Sequence, residues 1–365
     1  MFASLFPSRT LTVYLAKLFI GRILGVLVLL VIVLQALQLL SESGDILAVP
    51  GNGQAEIWRF VQLNVPQLIS RFLPYSVLLA TLFTFWPLNQ NSEVIAMRAG
   101  GLSAHQVLAP LLLVAAGISV ISFVFNETVV TRSNGTLKTW GELKYYPIPA
   151  ESGSRSNVYL RDGNDIIAAR TVYGSGAGTV MEDVTFYNRD PAGIVVRQLR
   201  SARATYANPG WTLQAPTAFD VGRTRTQKWG DTVVAPTLTP AQVAISKVDP
   251  DAENIVSLGR QIDALQAAGR RTDSLEGKWW HKLSGPLSAL LMPLLGSVAA
   301  FGLARSGQLL VRAIVGMALG FAYFVVDNAA LAMGNFGGYP PLIAAWAPFL
   351  LFALVGETVL VRTEE

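Results

Sequence analysis

The sequence predicts a polytopic α-helical membrane protein with six transmembrane helices in a three-plus-three arrangement and a β-rich domain inserted between the two halves. Hydrophobic residues make up 52% of the 365 residues and charged residues only 14%, whereas soluble domains carry about 25% charged residues. The apolar residues lie in long runs near both ends of the chain and are sparse in the middle. These observations exclude an ordinary soluble protein.

Six apolar runs approach or exceed the length of about 20 residues that a helix needs to cross a bilayer. They lie at 23–40, 72–88, 107–125, 283–303, 309–333 and 342–361. The first run follows basic residues, as in a signal peptide, but it is longer than the apolar region of about 7–15 residues found there, so we expect it to be retained. The predicted parts are a membrane half at 1–126, a β domain at 127–254, a connecting helix at 255–282 and a second membrane half at 283–365.

Lysine and arginine are concentrated on one side of the predicted spans, which the positive-inside rule assigns to the cytoplasm. The opposite short loops hold only Arg59 and Arg71. We therefore expect both termini in the cytoplasm and the large insertion in the periplasm of a Gram-negative host. The cytoplasmic set is Arg9, Lys17, Arg22, Arg98, Arg305, Arg312 and Arg362.

The sequence of the insertion predicts mostly short strands. Turn-forming sequences at 162–164, 188–193 and 208–210 each separate two β-rich segments, a pattern typical of hairpins. Such spacing predicts an antiparallel sandwich, barrel or jelly roll. After Pro250 the apolar residues recur at helical intervals up to Gly269, so we expect a helix that leads back to the membrane.

No catalytic motif is present in the sequence. It contains no phosphate-binding G-x-x-x-x-G-K-[ST], no H-E-x-x-H and no G-x-S-x-G. The complete absence of cysteine excludes disulfides, cysteine metal ligands and thiol catalysis. The basic residues are scattered, with a net charge of only +4, which argues against a nucleic-acid binder. We therefore expect no catalytic residues, no metal site and no cofactor on this chain.

Three polar features inside or between the spans need an explanation. Asp327 lies within the fifth span, where an ionisable residue is by default a functional candidate, although a structural carboxylate near the outer helix end is an alternative. Arg312, near the inner end, either snorkels to headgroups or has a gating role. In the cytoplasmic connection at 89–101, Ser92 can cap a short helix that Gly100 ends, with Glu93 in its first turn.

Several segments together resemble one known family. They lie at 92–101, 161–164, 248–251, 301–306, 312–327 and 338–341. In their order and spacing they are similar to the LptF/LptG family of permease subunits from the lipopolysaccharide export ABC transporter, and most similar to its G-type subunits. The resemblance covers essentially the whole chain and implies a periplasmic jelly roll between two sets of three helices.

The resemblance implies partners and a function. In this family two related permeases pair, here with an F-type subunit, and a cytoplasmic ATPase dimer that holds ATP and Mg docks on their short connecting helices. Lipopolysaccharide passes from the inner membrane between the permeases to a jelly-roll bridge, which includes a single-span periplasmic partner. The residues that match the family's coupling helix, at about 90–101, are Glu93, Val94, Ile95, Met97 and Arg98. We expect the apolar side chains of Val94, Ile95 and Met97 to be exposed, against the membrane or the groove of a partner.

The first and fifth helices would then line a cleft for the acyl chains, with the inward face of the jelly roll beyond them. We expect Tyr159 and Ile167 to lie on this inward face. Family members often carry basic residues at the outer end of the first helix, but this chain has 38–42, Gln-Leu-Leu-Ser-Glu, at that place. Arg132 and Lys138 are substitute candidates for contacts with lipid phosphates. The candidate substrate-path residues are Gln35, Gln38, Arg132, Lys138, Tyr159, Ile167, Arg312 and Asp327.

Two other functions stay open at this point. A lipoprotein-release-type ABC permease would share the three-plus-three helices but carry a mixed α/β insertion. A membrane-anchored periplasmic sensor or scaffold would bind a ligand with its β domain and transport nothing. An intramembrane hydrolase is a more distant alternative, because no second aspartate lies in another span.

Overall fold

The computed structural model describes residues 7–147, 155–174, 176–222, 225–240, 243, 248–267, 270–297 and 309–362. The chain forms two compact units. The membrane unit comprises the chain up to Leu47, Asn52–Gly135 and everything from Pro250 onward, and the β unit comprises Ala48–Gly51 and Thr136–Asp249.

The membrane unit is built from helices. On the N-terminal side of the insertion they are α1 (Arg9–Leu47), α2 (Gln54–Gln90), α3 (Glu93–Ala99) and α4 (Ala104–Phe125). A π-helical turn, Asn126–Val130, continues α4 into α5 (Thr131–Glu142). On the C-terminal side they are α6 (Ile255–Ala267), α7 (Asp273–Gly296), α8 (Leu309–Asn335) and α9 (Pro341–Arg362).

Five helical segments in the described part of the chain are long and apolar enough to cross a membrane. They are Arg9–Leu47, Gln54–Gln90, Ala104–Glu142, Ala313–Asn335 and Pro341–Arg362. The predicted span at 283–303 overlaps α7, and its last residues, 298–303, lie outside the described residues. The multi-pass helical class is therefore confirmed, and the sixth span stays a prediction.

The amphipathic pattern of α1 shows why this helix lies at the edge of the bundle. Leu15, Phe19 and Ile23 recur every four residues and are buried in the core of the membrane unit. Leu24 and Val28, on another face, are 55% exposed. A helix that packs along one narrow stripe and exposes apolar side chains elsewhere is suited to a hydrocarbon surrounding.

The β unit is an antiparallel sheet. Its strands are β1 (Arg155–Asp162), β2 (Asp165–Tyr173), β3 (Val180–Arg189), β4 (Val195–Tyr206), β5 (Trp211–Leu213), β6 (Thr217–Asp220), β7 (Arg225–Lys228) and β8 (Thr232–Val234). Neighbouring strands run in the order β1-β2-β3-β4-β5-β8, while β6 pairs with both β4 and β7. The three predicted hairpins are confirmed as β1–β2, β3–β4 and β4–β5. The all-β class is confirmed, and the jelly roll stays a prediction.

One face of this sheet carries the core of the β unit. Ile167, Met181, Val184 and Trp211 are almost completely buried. The indole Nε1 of Trp211 donates to the carbonyl oxygen of Leu238 at 2.9 Å, so the largest side chain of this core has a hydrogen-bond partner, as a buried indole requires.

A helix begins after Pro250 as predicted, but α6 ends at Ala267, and residues 273–282 of the predicted connecting helix form the first part of α7. Leu258, Ile262 and Leu265 are buried along one face. The indole Nε1 of Trp279, on α7, donates to the carbonyl oxygen of Ile255 at 2.9 Å. Helix α6 therefore packs within the membrane unit.

A close approach of α8 to α2 generates a testable prediction. A Cβ atom at Gly320 would collide with the side chain of Leu78, whereas one at Gly117, on α4, would meet nothing within 4 Å. We expect Gly320→Val to destabilise the protein by about 1–3 kcal/mol, because the side chain overpacks a filled interface. The measurement is the melting temperature of the purified protein in detergent, which should fall by several degrees.

The matched control is Gly117→Val, which places the same side chain on an exposed helix face. An equal fall of the melting temperature in both variants would contradict the close helix contact at Gly320.

Candidate functional site

The short helix α3 has one face on the bundle and one face outward. Val94 is buried at 3% exposure in the core of the membrane unit, and the half-buried Met97 packs against the same core. Ile95 is 48% exposed and Arg98 is exposed. The expectation that Val94 presents an exposed apolar surface is therefore wrong, because this side chain anchors the helix to the bundle.

The start of α3 differs from the predicted cap. Ser92 precedes the helix with φ at +58° and its hydroxyl forms no capping hydrogen bond. Glu93 is half-buried, and the hydroxyl of Tyr14 on α1 donates to its Oε2 at 3.4 Å. Gly100 follows the helix, as predicted. The acidic residue of the predicted coupling helix thus contacts the N-terminal part of α1.

The two glutamines of α1 face α2. The side-chain amide of Asn64 donates to Gln35 Oε1 at 2.9 Å and also to Gln38 Oε1. Gln35 and Asn64 are buried at 7% and 5% exposure. Since a polar group in hydrocarbon is costly without a partner, this cluster holds α1 against α2. Gln35 and Gln38 as substrate contacts remain a prediction, and in this structure their side-chain oxygens are occupied.

The two candidates on the sheet point to opposite faces. Ile167 is 1% exposed and lies in the core of the β unit, whereas Tyr159 is 71% exposed. In β1 the side chains alternate, so Val158 and Leu160 point inward and Tyr159 points outward. The expectation of an inward-facing Tyr159 is therefore wrong, and the inward orientation of Ile167 is confirmed.

The three remaining basic candidates lie on two helices, α5 and α8. Arg132 is exposed near the start of α5. Lys138, further along α5, forms an ion pair with Asp249 through Nζ and Oδ2 at 2.6 Å. Arg312 lies on α8, and its side chain falls outside what the structure describes.

Asp327 lies in a polar cavity of about 350 Å³ within the membrane unit. Residues of α2, α4, the π-helical turn, α7 and α8 line it. The Asp327 side chain is only 8% exposed, and its Oδ2 lies 3.8 Å from Nε2 of His281. Its Oδ1 has no hydrogen-bond partner among the described residues. A buried carboxylate in a cavity is a candidate functional group.

Two ion pairs form part of the cavity wall. Lys282 Nζ lies 3.2 Å from Glu127 Oε1, and both side chains are mostly buried. Lys278 Nζ lies 3.5 Å from Asp251 Oδ1. These pairs join α7 to the π-helical turn and to the segment that leads into α6. They neutralise four of the charged groups that line the cavity.

A stacked aromatic pair forms another part of the wall. The rings of Tyr75 on α2 and Phe324 on α8 are stacked with centroids 3.9 Å apart. Their side chains join the two helices beside Asp327, and both residues line the cavity.

The sequence analysis singled out Asp327 but not the residues around it. His281, Lys282 and Glu127 are far from Asp327 in the chain, and only the packing of three helices brings them together. The available signal was that all four residues occur near the same predicted membrane face. The described residues contain no group of three or more side chains suited to hold a metal ion.

Comparisons with known proteins cover nearly the whole chain. The model of the family "Lipopolysaccharide export system permease LptF/LptG" matches residues 13–362. The lipopolysaccharide export system permease protein LptG of Escherichia coli (strain K12) is 25% identical over 356 residues, which cover 94% of this chain and 98% of that protein. The protein of the same name from Haemophilus influenzae is 23% identical over 355 residues, 95% of this chain and 97% of its own length. The similarity therefore extends through both units.

The hydrogen bonds between α1 and α2 generate a prediction. We expect Asn64→Leu to weaken the contact of these helices by about 0.6–1.7 kcal/mol, the range measured for polar contacts between membrane helices, because the oxygens of Gln35 and Gln38 lose their donor. The chain has no cysteine, so disulfide crosslinking between engineered cysteines on α1 and α2 measures the contact without background.

The control is Asn328→Leu on α8, where the asparagine is exposed and donates to its own helix, at 2.7 Å from the Phe324 carbonyl oxygen. Crosslinking that is unchanged in the Asn64 variant would contradict the role of this cluster.

Proposed function

The chain belongs to the LptF/LptG family of lipopolysaccharide export permeases, and from this premise we propose how its two units act in export. It is a multi-pass inner-membrane protein and a permease subunit of lipopolysaccharide export. The observation that carries this function is that the family match, at 13–362, includes the β unit as well as the membrane helices. An all-β insertion also argues against the lipoprotein-release alternative, for which we expect a mixed α/β domain.

We propose a topology of six spans, in which α7 and the residues after it form the fourth. Both termini and α3 then lie in the cytoplasm, and the β unit, for which we propose a jelly-roll fold, lies in the periplasm. The support is the bias of lysine and arginine in the short loops. Arg59 and Arg71 are the exceptions on the outer side.

We propose that the chain pairs with an F-type permease and that a cytoplasmic ATPase dimer, which carries ATP and Mg, supplies the free energy. A single-span periplasmic protein with its own jelly roll would continue the route beyond this chain. The supporting observation for the ATPase is the sequence itself, which contains no phosphate-binding loop.

The geometry of α3 suggests how the ATPase is coupled to the bundle. Val94 and Met97 attach α3 to the core of the membrane unit, while Ile95 and Arg98 face outward. A short helix with one anchored face moves together with the bundle, so a displacement of its outer face by the ATPase shifts the helices as a shear movement.

This division of α3 generates a prediction. Ile95→Asp places a charge in the proposed apolar contact with the ATPase and should reduce ATPase affinity at least about tenfold, while the permease still folds because the side chain is exposed. The measurement is the amount of ATPase that co-purifies with the permease.

The control is Val361→Asp, which changes another exposed aliphatic residue (44% exposed) near the end of α9. Co-purification that is undiminished in the Ile95 variant would remove α3 as the docking element.

The proposed route keeps acyl chains away from water. Exposure of acyl chains costs about 0.8 kcal/mol per CH₂ group, so a lipid with several chains needs an apolar path throughout. We propose that α1 and α8 line the lateral cleft and that the face of the sheet around Ile167 receives the chains. This face is covered by side chains of the same unit, so entry requires that the sheet open.

A photo-crosslinker at position 167 should therefore capture lipopolysaccharide when the assembled transporter is supplied with ATP. The same crosslinker at position 159, on the outward face, is the control and should give little product. Equal labelling at both positions, or labelling that ATP does not increase, would contradict transport along the inner face of the sheet.

A further inference from the structure

The cavity around Asp327 has a charge pattern that the proposed apolar path for acyl chains does not explain. Its walls carry three cationic side chains, Arg71, Lys278 and Lys282, and three carboxylates, Glu127, Asp251 and Asp327, besides His281. Lys282 is paired with Glu127 and Lys278 with Asp251. One carboxylate and one guanidinium therefore remain outside these two pairs.

These two remaining groups differ in burial. Asp327 is buried, with an Oδ1 that has no hydrogen-bond partner in the described part of the chain. Arg71 is exposed, and it forms no ion pair with the described residues. The cavity thus has an unsatisfied carboxylate oxygen in its buried part and a guanidinium cation on its solvent-accessible side.

An unsatisfied buried carboxylate oxygen is costly in free energy, and a donor that enters the cavity removes this cost. A cationic donor satisfies it best, because a charge-assisted hydrogen bond is about twice as strong as a neutral one. His281 Nε2, at 3.8 Å from Oδ2, is beyond hydrogen-bond distance. The acceptor therefore favours an ammonium group.

The size and position of the cavity narrow the class of ligand. A volume of about 350 Å³ is at the low end of the range of about 300–1,000 Å³ for small-molecule sites, which suits a headgroup rather than a whole lipid. Arg71 directly precedes the predicted span at 72–88, and Asp327 lies less than two turns before the end of the predicted span at 309–333. In the topology proposed above, both residues therefore lie toward the outer headgroup region. A headgroup with an ammonium group and a phosphate is complementary to the two remaining charges.

We propose that this cavity binds the headgroup of an amine-bearing phospholipid of the outer leaflet, with the ammonium group on Asp327 and the phosphate toward Arg71. The lipid would then occupy a cavity lined by α2, α4, α7 and α8, to which α1 contributes no described residue. The inference rests on the topology given under the proposed function and not on the route of lipopolysaccharide.

The test compares two phospholipids that share a phosphodiester and differ in the amine. The assembled transporter is isolated in mild detergent from vesicles that contain equal amounts of phosphatidylethanolamine and phosphatidylglycerol, and the retained lipids are quantified by mass spectrometry. We expect phosphatidylethanolamine to be enriched about tenfold, the effect of about 1.4 kcal/mol, and Asp327→Asn to abolish the enrichment. The control, Glu357→Gln, changes an acidic residue of α9 outside the cavity and should retain it.

A wild-type protein without enrichment, or an Asp327→Asn variant that keeps it, would overturn the inference. If that variant does not assemble, Arg71→Gln provides the second measurement: retention of both phospholipids should fall, and unchanged retention would overturn the site. In a second preparation whose vesicles also contain an amine-bearing lipid A, enrichment of that lipid instead of phosphatidylethanolamine would overturn the proposed source. Export of lipopolysaccharide, measured in the same variants, separates this inference from the proposed function, since export can continue while the lipid preference is lost.

Discussion

The hydrocarbon interior of a bilayer offers no hydrogen-bond partners, and the organisation of the membrane unit depends on this constraint. Backbone groups are satisfied within the helices, and hydroxyl groups bond to their own helix, as Thr81 does to the Val77 carbonyl at 2.8 Å and Ser119 to the Ala115 carbonyl at 3.0 Å. The amide of Asn64 reaches across to α1 for the same reason. Asp327 departs from this pattern, and it does so beside a polar cavity.

The same surroundings make close packing important for holding the helices together. Lipid tails are as apolar as leucine, so burial of apolar side chains between helices contributes little, and van der Waals contact must contribute more. Small residues occur where helices approach closely: a Cβ atom at Gly296 would lie 2.7 Å from Thr81 Cγ2, and one at Gly320 would collide with Leu78. Both contacts involve α2, which is therefore a central element of the bundle.

Features set by neighbouring residues could be predicted from the sequence, and features set by packing could not. The hairpin β1–β2 follows from a turn at Gly163, where φ is +61°, and α6 follows from its apolar spacing. The start of α4 also has a local signal, the reciprocal capping box of Ser103 and Gln106, although the predicted span began only at 107. By contrast, the inward face of α3 and the neighbours of Asp327 depend on helices that are distant in the chain. Tyr159 is a third case. The strand pattern predicts that side chains alternate between the two faces, but which of these faces is buried depends on the partner strand.

The seven residues of α3 are subject to two different constraints, packing within the subunit and contact with the ATPase. Val94 must fit the interior of its own subunit, so any change there has to be matched by changes in neighbouring helices. Ile95 and Arg98 lie on the outer face of the helix, where they contact the ATPase under the proposed coupling. Under the proposed coupling, substitutions at these two positions change which ATPase the permease binds, while the fold of the subunit stays the same. Whether a related ATPase can replace the native one would then depend on the complementarity of the two contacting surfaces.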